Sequence, residues 1–178
     1  MKSILLSIKP KYVADIMNGE KTIEIRKTMP KCELPIDVYI YCTNGREVAI
    51  PSKSHSIYRY VKQFSWFQRK GCVAAKFTLS KIESIYLSPA EFGIANREFY
   101  VKQRELRTAT MDGDGLLQKS CLTEDALHNY LNFDRNGTFG YAWHISDLVI
   151  FEHDKLMKLS DFGVKREPQS WQYVEELK

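Results

Sequence analysis

Residues 16–27 of this 178-residue chain read IMNGEKTIEIRK, and this stretch decides the fold prediction. Asn18 and Gly19 both tolerate the left-handed backbone conformation that ends a helix. Polar and apolar side chains then alternate, as they do along a strand. The polar members share one face of that strand: Thr22, Glu24 and Arg26. The stretch therefore predicts a helix end, a tight turn and a strand with a charged face.

The residues before this turn predict a strand and a helix. Residues 3–8 form an apolar run of strand length. Pro10 suits the first turn of a helix, because its missing N–H has no intrahelical partner there. The predicted helix spans residues 10–17 and carries an apolar stripe of Tyr12, Val13, Ile16 and Met17.

Further strand patterns follow toward the C-terminus. We predict strands at 37–42, at 71–87 with a bend or bulge near Ser80, and at 138–145 and 148–151. Residues 46–71 are less regular and fit a long loop or an insert with a short helix around residues 57–67. Together these patterns predict a β-rich α+β fold of about six strands, which either closes into a small barrel or stays an open sheet.

Short helices and loops complete the pattern. Ser88 and Thr123 are suitable helix N-caps, the first followed by Pro89 and the second by a helix through Leu131. Residues 96–120 are polar, and we interpret their DGDG sequence at 112–115 as a loop. The tail after Pro168 is short, and three of its side chains are positioned to dock on the domain: Trp171, Tyr173 and Val174.

The composition is that of an ordinary globular domain, with 44% hydrophobic and 27% charged residues. We expect no membrane span, because no apolar run approaches the roughly 18 residues that a span requires. We expect a cytoplasmic protein, because the N-terminus lacks the features of a signal peptide. The four cysteines have no C-x-x-C spacing, so we expect reduced thiols, no metal and no cofactor.

Positive charge is concentrated in the first part of the chain. Residues 1–81 hold 15 basic and 6 acidic residues, whereas residues 82–178 hold 11 and 16. A one-sided positive field attracts polyanions such as nucleic acid. The alternative is a solvated face with no special purpose, because an asymmetry along the chain need not survive folding.

Four residues of the opening stretch fill the G-x-K-x-x-(E/T)-x-R signature of the ASCH family: Gly19, Lys21, Glu24 and Arg26. With the preceding strand and the Lys9-Pro10 helix start, the chain resembles the longer bacterial and phage ASCH proteins. The resemblance implies one PUA-like domain over residues 1–178, a small mixed β-barrel with surrounding helices and insertions around 44–70 and 94–136.

RNA or a nucleotide-like ligand is the partner that this resemblance implies, since PUA-like relatives bind RNA. Glu24 and Arg26 share a strand face, and Lys21 joins them only if the strand bends at its start. Such a cluster suits phosphates and base edges, with Lys9 and Lys11 as further ligand-binding candidates. The alternative is an ion-pair ladder on a solvated strand face.

An enzyme is the second hypothesis, because one ASCH group hydrolyses N4-acetylcytidine and another shows ribonuclease activity. Lys21 matches the catalytic lysine of the amidohydrolases, but Glu24 stands where they have a threonine, and Lys76 stands near the place of their later glutamate. Lys21 and Glu24 are therefore the catalytic candidates. A regulatory module that binds another protein is the third hypothesis, and the oligomeric state stays open.

Aromatic residues lie among cations between Lys53 and Lys81, a composition that suits stacking of single-stranded RNA bases. Tyr58 and Trp66 are the candidates there, whereas Phe77 is assigned to the core. We interpret His144 as structural, since no nucleophile stands beside it in the sequence.

Overall fold

The computed structural model describes residues 2–44, 70–87, 99–102, 111–131 and 140–175. These ranges contain eight strands, three α-helices and two short 3-10 helices, at His153–Lys155 and Leu159–Phe162. The strands and α-helices are β1 (Lys2–Ile8), α1 (Pro10–Met17), β2 (Ile23–Arg26), β3 (Ile36–Cys42), β4 (Cys72–Leu87), β5 (Phe99–Lys102), β6 (Met111–Asp112), α2 (Gly113–Ser120), α3 (Glu124–Leu131), β7 (Gly140–Ile150) and β8 (Trp171–Glu175). Within them, no helix is long and apolar enough to span a membrane.

Six strands form one path of neighbours in the order β2-β7-β4-β3-β1-β8, and β5 and β6 extend from β4. Strands β1 and β3 are parallel, whereas β8 pairs antiparallel with β1. The α+β class is therefore confirmed. Among the described strands this path is open, so the predicted closure into a barrel is not observed.

The chain divides into two compact units. The first comprises Met1–Glu20, Pro35–Leu79 and Ile145–Lys178, and the second comprises Lys21–Leu34 and Ser80–His144. Strands β4 and β7 contribute residues to both units.

The first unit is built on the parallel β1–β3 pair. The predicted helix is confirmed, with Pro10 in its first turn and Gly19 after its end at a φ of +74°. A core cluster lies on this sheet, where the Tyr39 ring packs edge-on against Phe162 at 4.8 Å between centroids. Its members are Leu5, Tyr39, Tyr41, Val73, Phe162 and Val174. Phe77 is buried as predicted.

The second unit has its own apolar core between β2, β4, β7 and the helices α2 and α3. Ile23 and Ile25 of β2 lie opposite His144 and Ala142 of β7, so one face of this strand pair is directed into the core. The buried members of the cluster are Ile23, Ile25, Ile85, Leu116, Leu127, Leu131 and Ala142.

Two local predictions were wrong, and the predicted docking of the tail is confirmed. The 112–115 loop is instead the start of α2, because the Asp112 carboxylate accepts a hydrogen bond from the Gly115 N–H at 2.8 Å and caps the helix. The two predicted closing strands are one strand, β7, which continues through Asp147 at a φ of +48°. The tail docks as strand β8, which Trp171 begins. The Thr123 cap is confirmed by its hydroxyl, which accepts from the Ala126 N–H.

Candidate nucleic-acid interface

Lys21, Glu24 and Arg26 converge on one carboxylate. Lys21 Nζ lies 3.2 Å from Glu24 Oε2, and Arg26 Nη2 lies 2.9 Å from Glu24 Oε1. Each carboxylate oxygen therefore has its own cation. Charge-assisted bonds of this kind are among the stronger hydrogen bonds in proteins, and they fix the direction of the guanidinium and ammonium groups.

Lys21 reaches Glu24 because it precedes β2 and is not bound by strand alternation. Its Nζ also donates to the Ser120 carbonyl at 2.6 Å, and the neighbouring Thr22 N–H donates to the Lys119 carbonyl at 2.9 Å. These carbonyls close α2, where the last turn lacks intrahelical donors and favours a nearby cation. Lys21 thus ties the start of β2 to the end of a helix.

The three signature side chains are buried. Lys21 is 2% exposed, and Glu24 and Arg26 are each 7% exposed. This burial contradicts the alternative of an ion-pair ladder on a solvated face. Attraction between charges is stronger where water is excluded, so the network is a fixed structural element of the second unit.

Tyr130 lies at the surface beside this network of Lys21, Glu24 and Arg26. It was not among the residues predicted from the sequence. The ring is 37% exposed, and the Arg26 side chain lies close enough to its hydroxyl to act on the pKa of the phenol. Burial is the main cause that raises the pKa of Tyr130; Arg26 opposes the rise and the Glu24 charge adds to it. The exposed Lys27 places its Nζ 5.5 Å from the centre of the same ring. We call Tyr130 and Lys27 the aromatic-cation patch.

A second polar cluster forms around Glu83 on β4. Its carboxylate, 1% exposed, lies 2.5 Å from His144 Nε2 and 3.0 Å from Lys81 Nζ. Burial is the largest cause that lowers the pKa of His144; the Glu83 carboxylate raises it, and the Lys81 and Lys119 charges lower it. Glu83 was not selected from the sequence, although a signal for it exists. Side chains alternate along a strand, so Lys81, Glu83 and Ile85 share one face of β4, and the apolar Ile85 indicates that this face is directed into the core.

The other predicted residues belong to the first unit or fall outside the described residues. Lys9 and Lys11 belong to the first unit, at the start of α1, where Lys11 Nζ lies 5.6 Å from the Tyr12 ring centre. Tyr58 and Trp66 lie outside the described residues. Lys76, near the place of the amidohydrolase glutamate, pairs with Asp37 at 2.8 Å in the first unit.

Candidate metal ligands do not gather in the ranges that the structure describes: no group of three or more His, Cys, Asp or Glu side chains could hold an ion there. None of the four cysteines forms a disulfide.

The sheet order, the parallel β1–β3 pair and the buried ion pairs of β2 describe an α+β protein with a charged cluster at the start of one strand. The profile of the ASCH domain matches residues 6–109, which is more than half of the chain. The protein therefore belongs to the ASCH domain family.

Solved structures show the same fold. The ASCH protein from Zymomonas mobilis superposes with a TM-score of 0.56 at 15% identity, over 98% of this chain and 88% of that chain. A tyrosine-to-phenylalanine mutant of that protein superposes with a TM-score of 0.56 at 15% identity, over 99% of this chain and 92% of that chain. A serine-to-alanine mutant superposes with a TM-score of 0.53 at 14% identity, over 98% of this chain and 89% of that chain. No curated protein matches the chain.

Proposed function

We propose that this ASCH protein binds single-stranded RNA or a nucleotide-like ligand at the aromatic-cation patch of its second unit. The observation that carries the proposal is the path from the buried Glu24 through Arg26 to the exposed Tyr130 ring. Family membership supports the same ligand class, because PUA-like relatives bind RNA. The closed small barrel expected from the family belongs to this proposal as well.

The patch offers the two contacts that single-stranded RNA requires. Bases stack on aromatic rings, and phosphates approach lysine and arginine. Tyr130 offers a ring face, Lys27 lies over that ring, and the Arg26 charge acts on the phenol. The buried ion pairs fix Arg26 in place, so less side-chain freedom is lost when a ligand binds.

The test uses fluorescence anisotropy with labelled single-stranded RNA of roughly 12 nucleotides, a length that one small domain can cover. Tyr130→Ala removes the stacking ring and should weaken binding about tenfold. Lys27→Ala removes one phosphate contact and should reduce the slope of log affinity against log salt by about 0.7. Both side chains are partly or fully exposed, so the fold should tolerate both changes.

The matched control is Lys165→Ala, which removes one exposed cation from the first unit. It should leave affinity and salt slope close to wild type. If wild-type protein shows no salt-dependent binding, RNA binding is wrong. If the patch variants bind as the control does, the location is wrong.

The enzyme hypothesis is tested in the same samples, with Lys21 and Glu24 as its catalytic candidates. A denaturing gel reports RNA cleavage, and chromatography of N4-acetylcytidine reports amide hydrolysis. Product formation that Lys21→Met abolishes would favour an enzyme over a binding protein. If the samples show no product and no RNA binding, the protein-binding module is favoured.

A further inference from the structure

The Glu83 cluster reaches the surface through His144, whose side chain is 24% exposed. Lys81 and His144 occupy separate oxygens of the Glu83 carboxylate. The carboxylate thus holds the imidazole on the core-facing side of β7, with one ring edge directed at Glu83.

Glu83 also determines which ring nitrogen carries the proton. A carboxylate only accepts, so Nε2 is the donor at this contact, and a neutral ring then presents Nδ1 as an acceptor. The lowered pKa of His144, which burial and the cations of Lys81 and Lys119 cause against the effect of Glu83, agrees with a neutral ring. Nδ1 makes no hydrogen bond to any residue that the structure describes.

Two lysines lie near the His144 ring, since both charges act on its pKa. The Lys81 side chain is 45% exposed. Lys119 is exposed and forms no ion pair within the described ranges. An acceptor beside two cations fits a ligand that carries a hydroxyl donor next to an anion. Ribose in an RNA strand has this arrangement, because its 2′-hydroxyl lies next to a phosphate, and the 2′-hydroxyl distinguishes RNA from DNA.

We propose that His144 Nδ1 accepts a hydrogen bond from a ribose 2′-hydroxyl, while Lys81 and Lys119 contact the adjacent phosphate. This inference rests on the proposed binding of single-stranded RNA and adds the side chain that contacts the 2′-hydroxyl, the group that DNA lacks. Lys119 is also next to the signature network, since the Lys119 and Ser120 carbonyls at the end of α2 accept from the Thr22 N–H and Lys21 Nζ.

The experiment compares three labelled strands with identical bases: RNA, 2′-fluoro RNA and DNA. The 2′-fluoro strand keeps an RNA-like sugar but has no hydroxyl donor, so it separates the hydrogen bond from the shape of the strand. Wild-type protein should bind RNA about three- to tenfold more tightly than 2′-fluoro RNA, which is the value of one net hydrogen bond.

His144→Gln tests the residue. The glutamine amide can still donate to Glu83 but offers no acceptor at the Nδ1 position. This variant should bind RNA and 2′-fluoro RNA equally, with unchanged affinity for the 2′-fluoro strand. His153→Gln, the same change at an exposed histidine of the first unit, should keep the wild-type preference. Lys119→Ala should weaken all three strands and lower the salt slope by about 0.7.

Two results would overturn the inference while leaving the proposed function intact. One is salt-dependent binding of all three strands with equal affinity. The other is a His144→Gln variant that keeps the full preference for RNA. Absence of salt-dependent binding to any strand would instead overturn the proposed function itself.

Discussion

Arg26 Nη2 lies 2.9 Å from Glu24 Oε1, on the strand that carries the family signature. The other oxygen of the carboxylate pairs with Lys21, so one buried glutamate holds both signature cations. Glu24 is consequently the residue on which the arrangement of the site depends.

Glu24→Gln should destabilise the fold by about 3–5 kcal/mol, because it removes the charge that two buried cations share. Urea unfolding followed by circular dichroism measures this loss. Glu152→Gln makes the same chemical change at an exposed pair with Lys155 and should leave the midpoint unchanged. Equal midpoints for the two variants would show that the buried network contributes little to stability.

Gly19→Ala should cost about 1–2 kcal/mol, which is the usual penalty for a side chain in the left-handed region. A Cβ there would meet nothing within 4 Å, so the cost is conformational and not steric. Gly19→Asn should cost less, since asparagine tolerates this conformation. Thermal unfolding of the two variants measures this difference in stability. Equal melting temperatures for Gly19→Ala and Gly19→Asn would contradict the prediction.

The free energy of unfolding should decrease as the pH is lowered below about 6.5, because of His144. Its folded-state pKa lies below the ordinary 6.5, mainly through burial, with Lys81 and Lys119 acting in the same direction and Glu83 against them. As pH falls below about 6.5 the unfolded state gains this proton while the folded state resists it. The free energy of unfolding therefore declines on the acid side, and wild type should lose more than His144→Gln. Parallel pH curves for the two proteins would exclude this role for His144.

Cys42 and Cys72 are direct partners across the antiparallel β3–β4 pair. Opposite residues in such a pair have Cα atoms about 4.5–5.5 Å apart, within the range of about 4.4–6.8 Å for disulfides. In a Cys32→Ser background, diamide should oxidise the two thiols to one disulfide while it is itself reduced to the hydrazine. Peptide mapping under non-reducing conditions should then find residues 71–76 linked to the peptide that contains Cys42. Unmodified Cys42 and Cys72 after treatment would show that the strands hold the thiols apart.

Local patterns were sufficient to predict much of the fold. Pro10 and Gly19 mark both ends of α1 because each fits a backbone position that few residues tolerate. Asp112 was misread because the following glycines suggested a turn, whereas its carboxylate caps a helix. The tail was recognised as docked but not as a strand, since β8 depends on long-range pairing with β1.

The site was predictable only in part. The signature pointed to Lys21, Glu24 and Arg26, which the structure brings together around one carboxylate, but alternation predicted that Lys21 needed a bend to join the others. In the structure Lys21 lies before the strand and is held by the carbonyl of Ser120. Tyr130 could not be inferred, because its contact with Arg26 depends on how α3 packs in the second unit.

Photocrosslinking of RNA that contains 4-thiouridine tests the central claim most directly, because it reports which side chain touches a base. Adducts mapped by mass spectrometry should fall on Tyr130 or its neighbours on α3, and high salt should suppress them. Tyr130→Phe should retain them and Tyr130→Ala should lose them. Adducts confined to the first unit, or an equal yield from Tyr130→Ala, would contradict the account.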